Sequence, residues 1–452
     1  MVFLSLLLAC QSPDPLLQAE TEWIQDITVQ TSEAIPSVLT VGFTTPESVT
    51  AWVEYGADQA GERATTGSTG TQHTHHLLGL APLTDAQLQI VVEVDGEVHQ
   101  SGALSAQTGQ ILPETPLPEV TINNYAPAEH ATFLISIFSD PSYVVMMDLD
   151  GTVHWSLQVG PESERSGLGC QPVVDEGLIF FNSFDFDGWN GGRIESVGLD
   201  GSPVAAVDTE GAHHFFERLP DGSLVWMAIE PREVSGMGDV VGDKIMRQAP
   251  DGTLTTLFSA WDHLTVYKTD TWDRPLYAEG ADWTHGNGLT HDAARDTLLV
   301  SMGGTDVVVE LSTEGEVLRL FGGQSAVDGD YQFNPPSSAF SYPHGPHFSA
   351  DGELMMMSTV NDQSQLVGYE IDDEQQSLRA TWSYGAGMGK VVQVLGEVEA
   401  LPDGNRLVSW GSLGTLQVIT PAGEVLWEAQ TEFGSLIGQA HLLESPYRSW
   451  SP

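Results

Sequence analysis

The sequence predicts an all-β protein, a six-bladed β-propeller preceded by a small β-sandwich, and three observations carry that reading. Short apolar runs alternate with turn residues along the chain, whose 452 residues include 47 Gly and 25 Pro. From about residue 119 onward, Asp-Gly-type turns recur with a period near 50 residues, as expected of blades that each hold several strands. A hydrophobic content of 41%, with 12 Trp and 16 Phe, can bury a large core and excludes a disordered chain.

In chain order, the first element is the apolar run MVFLSLLLAC. A spanning helix needs roughly 18 consecutive apolar residues, so this run is too short, but it suits the apolar stretch of a secretion signal. Leu7-Leu8-Ala9-Cys10 resembles a bacterial lipobox. That resemblance implies a lipid on Cys10, a signal and tether over residues 1–22, and a lipoprotein held at a membrane of the cell envelope. Cys170 is then the only other thiol, and an unpaired thiol in an oxidising compartment is expected in the core, not in catalysis.

Residues 23–110 hold several short alternating runs, among them Ser37-Val-Leu-Thr-Val-Gly-Phe and Leu88-Gln-Ile-Val-Val-Glu-Val, with Gly, Thr and Ser between them. Six or seven strands in this length predict a β-sandwich. "VEYG" at 53–56 and "HHLLGLAPLT" at 75–84 resemble a fibronectin type III module. His73, His75 and His76 have no further ligand at metal-binding spacing and are expected as strand residues. Residues 111–118, ILPETPLP, predict a stiff Pro-rich linker.

The propeller is expected over 119–452. Its turns fall into two alternating kinds, one near Glu176-Gly177, Asp221-Gly222, Arg295-Asp296, Asp351-Gly352 and Asp403-Gly404. The other lies at Asp150-Gly151, Asp200-Gly201, Asp251-Gly252, Glu314-Gly315, Asp373-Glu374 and Ala422-Gly423. A turn near Glu129-His130 would complete six pairs, and the run from Gln439 to Glu444 is expected to return to the first blade and close the ring.

Charge excludes one class of partner. Fifteen Lys and Arg face 63 Asp and Glu, a formal net charge of −48, and such a chain cannot neutralise phosphates over a basic footprint, so no nucleic-acid partner is expected. The charge serves solubility instead.

Three histidines then stand out. His214 lies seven residues before Asp221, His344 seven before Asp351, and His285 eleven before Asp296. The strand entering the first hairpin of each propeller blade lines the central channel, so equivalent positions in neighbouring blades converge on one axial cavity.

"HHFFERLPDG" (213–222), "DWTHGNG" (282–288), "YPHGPHFSADG" (342–352) and "GEVEALPDGNRLVSWG" (396–411) resemble the bacterial arylsulfate sulfotransferases over about 119–445. The resemblance implies nucleotide-independent transfer of a sulfuryl group from an aryl sulfate to a phenolic acceptor through a sulfohistidine. It implies His344 as nucleophile, His285 as acid and base, and His214 as a third catalytic histidine, with Asn287 and His213 as substrate-binding residues. Two departures accompany it. Pro343 precedes His344 where the family has Gln, and Gly303 stands in Ser301-Met302-Gly303-Gly304 where the family has a sulfate-gripping Arg. Loss of that Arg should lower affinity for a sulfate ester unless Arg193, Arg218 or Arg232 compensates.

The residue types suit this chemistry. Sulfuryl transfer needs a neutral nucleophile toward an anionic centre, and an imidazole with an ordinary pKa of about 6.5 supplies one. The loop Tyr331-Gln-Phe-Asn-Pro-Pro, with Phe340 and Tyr342, is an expected wall for aryl rings, equally readable as inter-blade packing. No HExxH or similar spacing occurs, so neither a metal nor a cofactor is expected. Asp185-Phe-Asp-Gly-Trp-Asn-Gly-Gly opens like a calcium loop but lacks its closing Glu and reads as a turn. A ligand-binding propeller without catalysis, or a metal-dependent hydrolase with ligands from distant strands, would be the alternative classes.

Overall fold

The computed structural model describes residue 16 and residues 19–65, 67–112, 115–127, 131–159, 169–173, 177–184, 192–274, 276–432 and 434–443. Cys10, where a lipid is expected, the turn near Glu129-His130 and the Asp185 loop lie outside the described residues. No helix among them is long and apolar enough to cross a membrane.

The N-terminal region folds into seven strands joined in one curled sheet. The reason is the 18-residue strand Leu39–Gly56. Its first half pairs with Gln25–Thr31 and Ser68–Leu77, its second with Asp85–Val94 and Arg63–Ala64, and a register shift between Thr44 and Val49 bends it. One bent strand therefore keeps both halves in a single hydrogen-bonded ladder around an apolar centre that includes Phe43, Tyr55 and Ile90. His73 and His75 stack on Phe43 at 4.8 and 5.9 Å and are satisfied by Thr45, Thr65 and Ser68 hydroxyls. They belong to this interior.

The sheet rests on the propeller. Ile35, Val38 and Leu78 share a buried cluster with Val144, Trp155 and Ile179, and Ser37 Oγ donates to the His154 carbonyl at 2.6 Å. The Pro-rich linker is docked as well, through Ile111 and Leu112 on the propeller core and Thr115 bonded to Ser156 at 2.7 Å.

Six further sheets form the six blades. Their strands next to the axis are Leu436–Leu443 in blade 1, Cys170–Val173 in blade 2, Ala212–Arg218 in blade 3, Gly286–Asp292 in blade 4, His344–Phe348 in blade 5 and Glu397–Ala400 in blade 6. The second strands are apolar on both faces because blades pack face to face: Thr297–Met302 is buried at every residue. The Asp-Gly turns read from the sequence are hairpin turns whose glycines take left-handed φ, +85° at Gly222 and +90° at Gly352.

Both chain ends close the ring. Leu436–Leu443 pairs with Thr132–Phe138 as the axial strand of blade 1, and Glu119–Asn123 pairs with Val425–Gln430 as the outermost strand of blade 6. The axial strand of blade 1 thus comes from the C-terminal end, and no hairpin turn near Glu129 is needed to supply it. Phe133 stacks on Trp427 at 4.4 Å across the closing seam, and Trp427 Nε1 donates to the Leu149 carbonyl at 2.8 Å. Both rings are fully buried. Phe133→Ala is therefore expected to lower stability by about 3–5 kcal/mol in denaturant unfolding; a loss under about 1 kcal/mol would show that the seam does not hold the ring.

Candidate active site

The axial strands of blades 3, 4 and 5 share a local irregularity where they reach the channel. Their ladders shift register between His213 and Phe216, Gly286 and Gly288, and His344 and His347. A bulge of this kind re-aims side chains that a regular pleat would send into the blade interface. His214 and His285 adopt left-handed φ of +56° and +47°, costing about 1–3 kcal/mol each for a side chain with a Cβ. Gly345, at +54°, follows His344, and a Cβ there would lie 2.6 Å from the Glu397 Cβ. That tight approach lets the blade 5 histidine sit beside blade 6.

The three histidines meet. His214, His285, Asn287, Tyr342 and His344 line one small chamber of about 30 Å³, closed on the far side by Met357 and residues 392–395. The His214 and His285 rings are 5.9 Å apart, and Phe215 turns its ring against His344 at 6.1 Å.

Each histidine is held differently. His285 Nδ1 donates to Asp282 Oδ2 at 2.6 Å, which leaves Nε2 for the chamber. Asp282 is fixed because Ala281–Asp282 pairs in parallel with Val240 and Val241 of blade 3. His213 does not line the chamber; it lies behind His214, fully buried. Its Nε2 meets Asp243 Oδ1 at 3.0 Å and its Nδ1 meets His214 Nδ1 at 2.8 Å. In its neutral form His213 donates to Asp243 and accepts from His214, which leaves His214 Nε2 unprotonated toward the chamber. Burial pushes the Asp243 carboxyl up, but bonds from His213, Thr284 and the Gly286 amide outweigh it and hold the group below its usual range. His213, expected to bind substrate, thus stands one residue back from the chamber, in contact with it through His214.

Burial first, then the neighbouring imidazoles, keeps His214 well below its ordinary pKa. Burial likewise lowers His344 to about 3. Both rings are neutral near pH 7, as a nucleophile toward an anion must be. Asn287 accepts from Ser301 Oγ at 2.7 Å through Oδ1, and its Nδ2 has no hydrogen-bond partner among the described residues. Neither has His344 Nδ1 nor Asp282 Oδ1. Buried unpaired polar atoms cost about 1–3 kcal/mol each, and two of these three, on Asn287 and His344, belong to residues of the chamber wall, where a bound group can satisfy them.

Residues 119–435 match the sequence profile of the family described as Arylsulfotransferase (ASST). The chain belongs to the arylsulfotransferase family. No curated protein matches it significantly. Solved structures share its fold only distantly. A Bacteroides caccae protein of unknown function is 13% identical, covering 70% of this chain and 99% of its own, with a TM-score of 0.45. The periplasmic gluconolactonase of Pseudomonas aeruginosa is 15% identical over 88% and 99%, with a TM-score of 0.41.

At Gly303, where the resemblance implied an Arg, the space is taken by neighbouring side chains. A Cβ on Gly303 would lie 2.6 Å from Asn287 Nδ2 and 3.1 Å from the Tyr342 ring, which takes up that space. None of the three arginines expected to compensate reaches the chamber. Arg193 pairs with Asp208 at 3.2 Å, Arg218 lies over Phe180, and Arg232 pairs with Glu230 at 2.6 Å and covers Trp261. Of the expected aromatic wall only Tyr342 faces the chamber. Phe333 and Phe340 pack with Tyr369 between blades 4 and 5, and Tyr331 lies tilted against Phe321.

Cys170 is a fully buried free thiol that burial pushes up in pKa, as a core residue should be. Among the described residues no group of three or more His, Cys, Asp or Glu side chains stands in metal-holding geometry.

Below the chamber the channel is lined by buried ionisable groups. Burial raises Glu217 and Glu397 to about 7. Burial opposes the charge on His441, but Glu399 at 3.4 Å and the nearby Glu397 and Glu217 outweigh it and raise His441 to about 9. Ionising the two glutamates is costlier folded than unfolded, so their contribution falls as pH rises through 7. The stability from charged His441 is full below 6.5 and lost as pH rises through 9. His344, at about 3, and His347, lowered by burial to about 4, act oppositely, losing stability as pH falls from 6.5 toward those values. Thermal melting is expected to peak near pH 6 and fall between pH 7 and 9; a melting temperature that climbs over that alkaline range would contradict the assignment.

Proposed function

We propose that this arylsulfotransferase moves a sulfuryl group from an aryl sulfate to a phenol through a covalent adduct on His344. The observation that carries the reading is the convergence of His344, a carboxylate-braced His285, Asn287 and His214 on one small chamber.

In the first half-reaction a ring nitrogen of His344 attacks sulfur. The N–S bond forms, the S–O bond to the aryl group breaks, and protonated His285 gives its proton to the departing phenolate oxygen. Asp282 stabilises the imidazolium from which that proton comes. In the second half-reaction the acceptor phenol returns a proton to His285, its oxygen bonds to sulfur, and the N–S bond breaks. Asn287 Nδ2 donates to a sulfuryl oxygen, a fixed donor aimed at developing charge. His214 Nε2, held unprotonated by the His213–Asp243 relay, can take a hydrogen bond from the acceptor or from His285 as the proton moves.

We further infer that the chain is anchored to a membrane of the cell envelope through a lipid on Cys10; Cys10→Ser should release it to the soluble fraction.

Incubation with a chromogenic phenyl sulfate and excess phenol should release nitrophenol or its equivalent together with the new ester. Acid-labile sulfonyl mass should appear on the peptide holding His344. His344→Ala should abolish both with an unchanged melting temperature, and wild-type protein that transfers nothing to any phenol would end the proposal. Asp282→Asn, which removes the brace and favours the wrong tautomer, should slow turnover by about 10²–10⁴-fold; a change under threefold would show that His285 needs no brace. The net charge of −48 opposes an anionic donor, and the Debye length shortens to about 10 Å at 0.1 M salt. Raising salt from about 10 to 100 mM should therefore increase kcat/KM, whereas a decrease would show that the protein's long-range field does not govern donor capture.

A further inference from the structure

We infer that Arg274 binds the sulfate group of the incoming donor, which takes the place of the Tyr342 phenol oxygen on the guanidinium. This rests on the transfer reading above and supplies the anion-binding residue that position 303 lacks.

The volumes set the problem. The histidine chamber, at about 30 Å³, holds a water molecule and not an aryl ester. Above it opens a cavity of about 850 Å³ that shares Tyr342, Thr359, Val392 and Gln393 with the chamber. Tyr342 is the aromatic member of that shared rim. Its ring lies 5.5 Å from the His285 ring and in contact distance of Gly303, so it fills the volume an aryl group needs when its ester oxygen approaches His285.

Arg274 holds Tyr342 from outside. Its Nη1 donates to the Tyr342 hydroxyl at 2.8 Å, and its guanidinium carbon lies 5.2 Å from the ring centroid. Arg193, Arg232, Arg247, Arg295, Arg319, Arg379 and Arg406 each pair with a carboxylate. Arg274 forms no ion pair among the described residues, although the chain has 63 acidic residues to offer. Of the acids on the cavity wall, Asp270 and Asp362 are exposed to solvent. Asp306 has both oxygens engaged by the Ser325 and Tyr342 amides and the Ser341 hydroxyl. A guanidinium bonded only to a neutral phenol retains most of its donors for an oxyanion, and Arg–sulfate contacts are among the stronger charge-assisted bonds. A donor sulfate has three oxygens to offer where the phenol has one, so exchange of Tyr342 for the ester is favoured and moves the ring off the chamber mouth.

Tyr342 can make this exchange because its backbone is pinned while its side chain is not packed into a core. It sits at φ +45°, with its amide donating to Asp306 Oδ1 at 2.6 Å. An outward swing changes the side-chain torsions and leaves that anchor intact.

The test is binding of a benzylsulfonate, an aryl sulfate analogue whose carbon in place of the ester oxygen prevents transfer, followed by calorimetry on the full chain. Arg274→Gln should raise its Kd at least tenfold and leave the Kd of phenol within twofold. Lys268→Gln, which removes the other cation on the cavity wall, should change the sulfonate Kd less than threefold. Tyr342→Phe keeps the ring, frees the guanidinium and should bind the sulfonate more tightly. Inorganic sulfate should compete for the same residue more weakly than the aryl analogue; equal competition would assign a plain sulfate site. An Arg274→Gln Kd within twofold of wild type, or weaker binding by Tyr342→Phe, would overturn the inference. In turnover, Arg274→Gln should raise KM for the donor more than it lowers kcat. Wild type that transfers sulfate while Arg274→Gln keeps its KM sinks this inference alone. Arg274-dependent sulfonate binding in a protein that never transfers sinks the transfer reading alone.

Discussion

Backbone pairing between Leu436–Leu443 and Thr132–Phe138 is the interaction on which the remaining architecture depends. A propeller has no single core; each blade is a small sheet that gains stability from the faces of its two neighbours. Opening any seam exposes two such faces at once. Here the seam is sealed twice, at the axis by the C-terminal strand and at the rim by Glu119–Asn123, with the Phe133–Trp427 stack between. Only a closed ring brings axial strands of blades 3, 4 and 5 to one point, so the histidine chamber exists as a consequence of contacts on the opposite side of the molecule.

Much of this was legible in the sequence, because the signals were periodic. Asp-Gly turns about 50 residues apart fixed the number of blades, and histidines at matching offsets from those turns predicted a shared position. Their convergence at His214, His285 and His344 follows from the repeat alone. Non-periodic features were hidden. Asp243 pairs with His213 from 30 residues away, on a strand whose register nothing in the sequence specifies. Asp282 could have been suspected, standing three residues before His285 in "DWTHGNG". The Tyr331–Pro336 loop is aromatic enough for a substrate wall, yet its rings are absorbed by packing between two blades, a choice composition cannot make. The bend in Leu39–Gly56, which joins both halves of the N-terminal sheet in one ladder, is set by the same kind of long-range geometry. Arg274 carries no periodic signal, since its place on Tyr342 depends on the space left by a glycine 29 positions later.

Electrostatics divide the molecule. The surface carries the acidic excess, whereas the axis holds imidazoles kept neutral by burial and, lower down, carboxyls held near their neutral form. An anion approaching such a protein is repelled until it reaches the mouth, where the few cations are local and directional. Recognition then rests on short contacts and very little on the general field, which favours discrimination by shape over attraction by charge.

The left-handed backbone at His214 and His285 has a consequence for the protein's history. Glycine is the residue those two conformations favour, and every generation in which selection weighs thermal robustness above chemistry would drift toward it. The chamber is thus the part of the ring that folding alone has reason to erase. Exchanging either histidine for glycine would relieve that strain and remove a ring from the chamber in the same step.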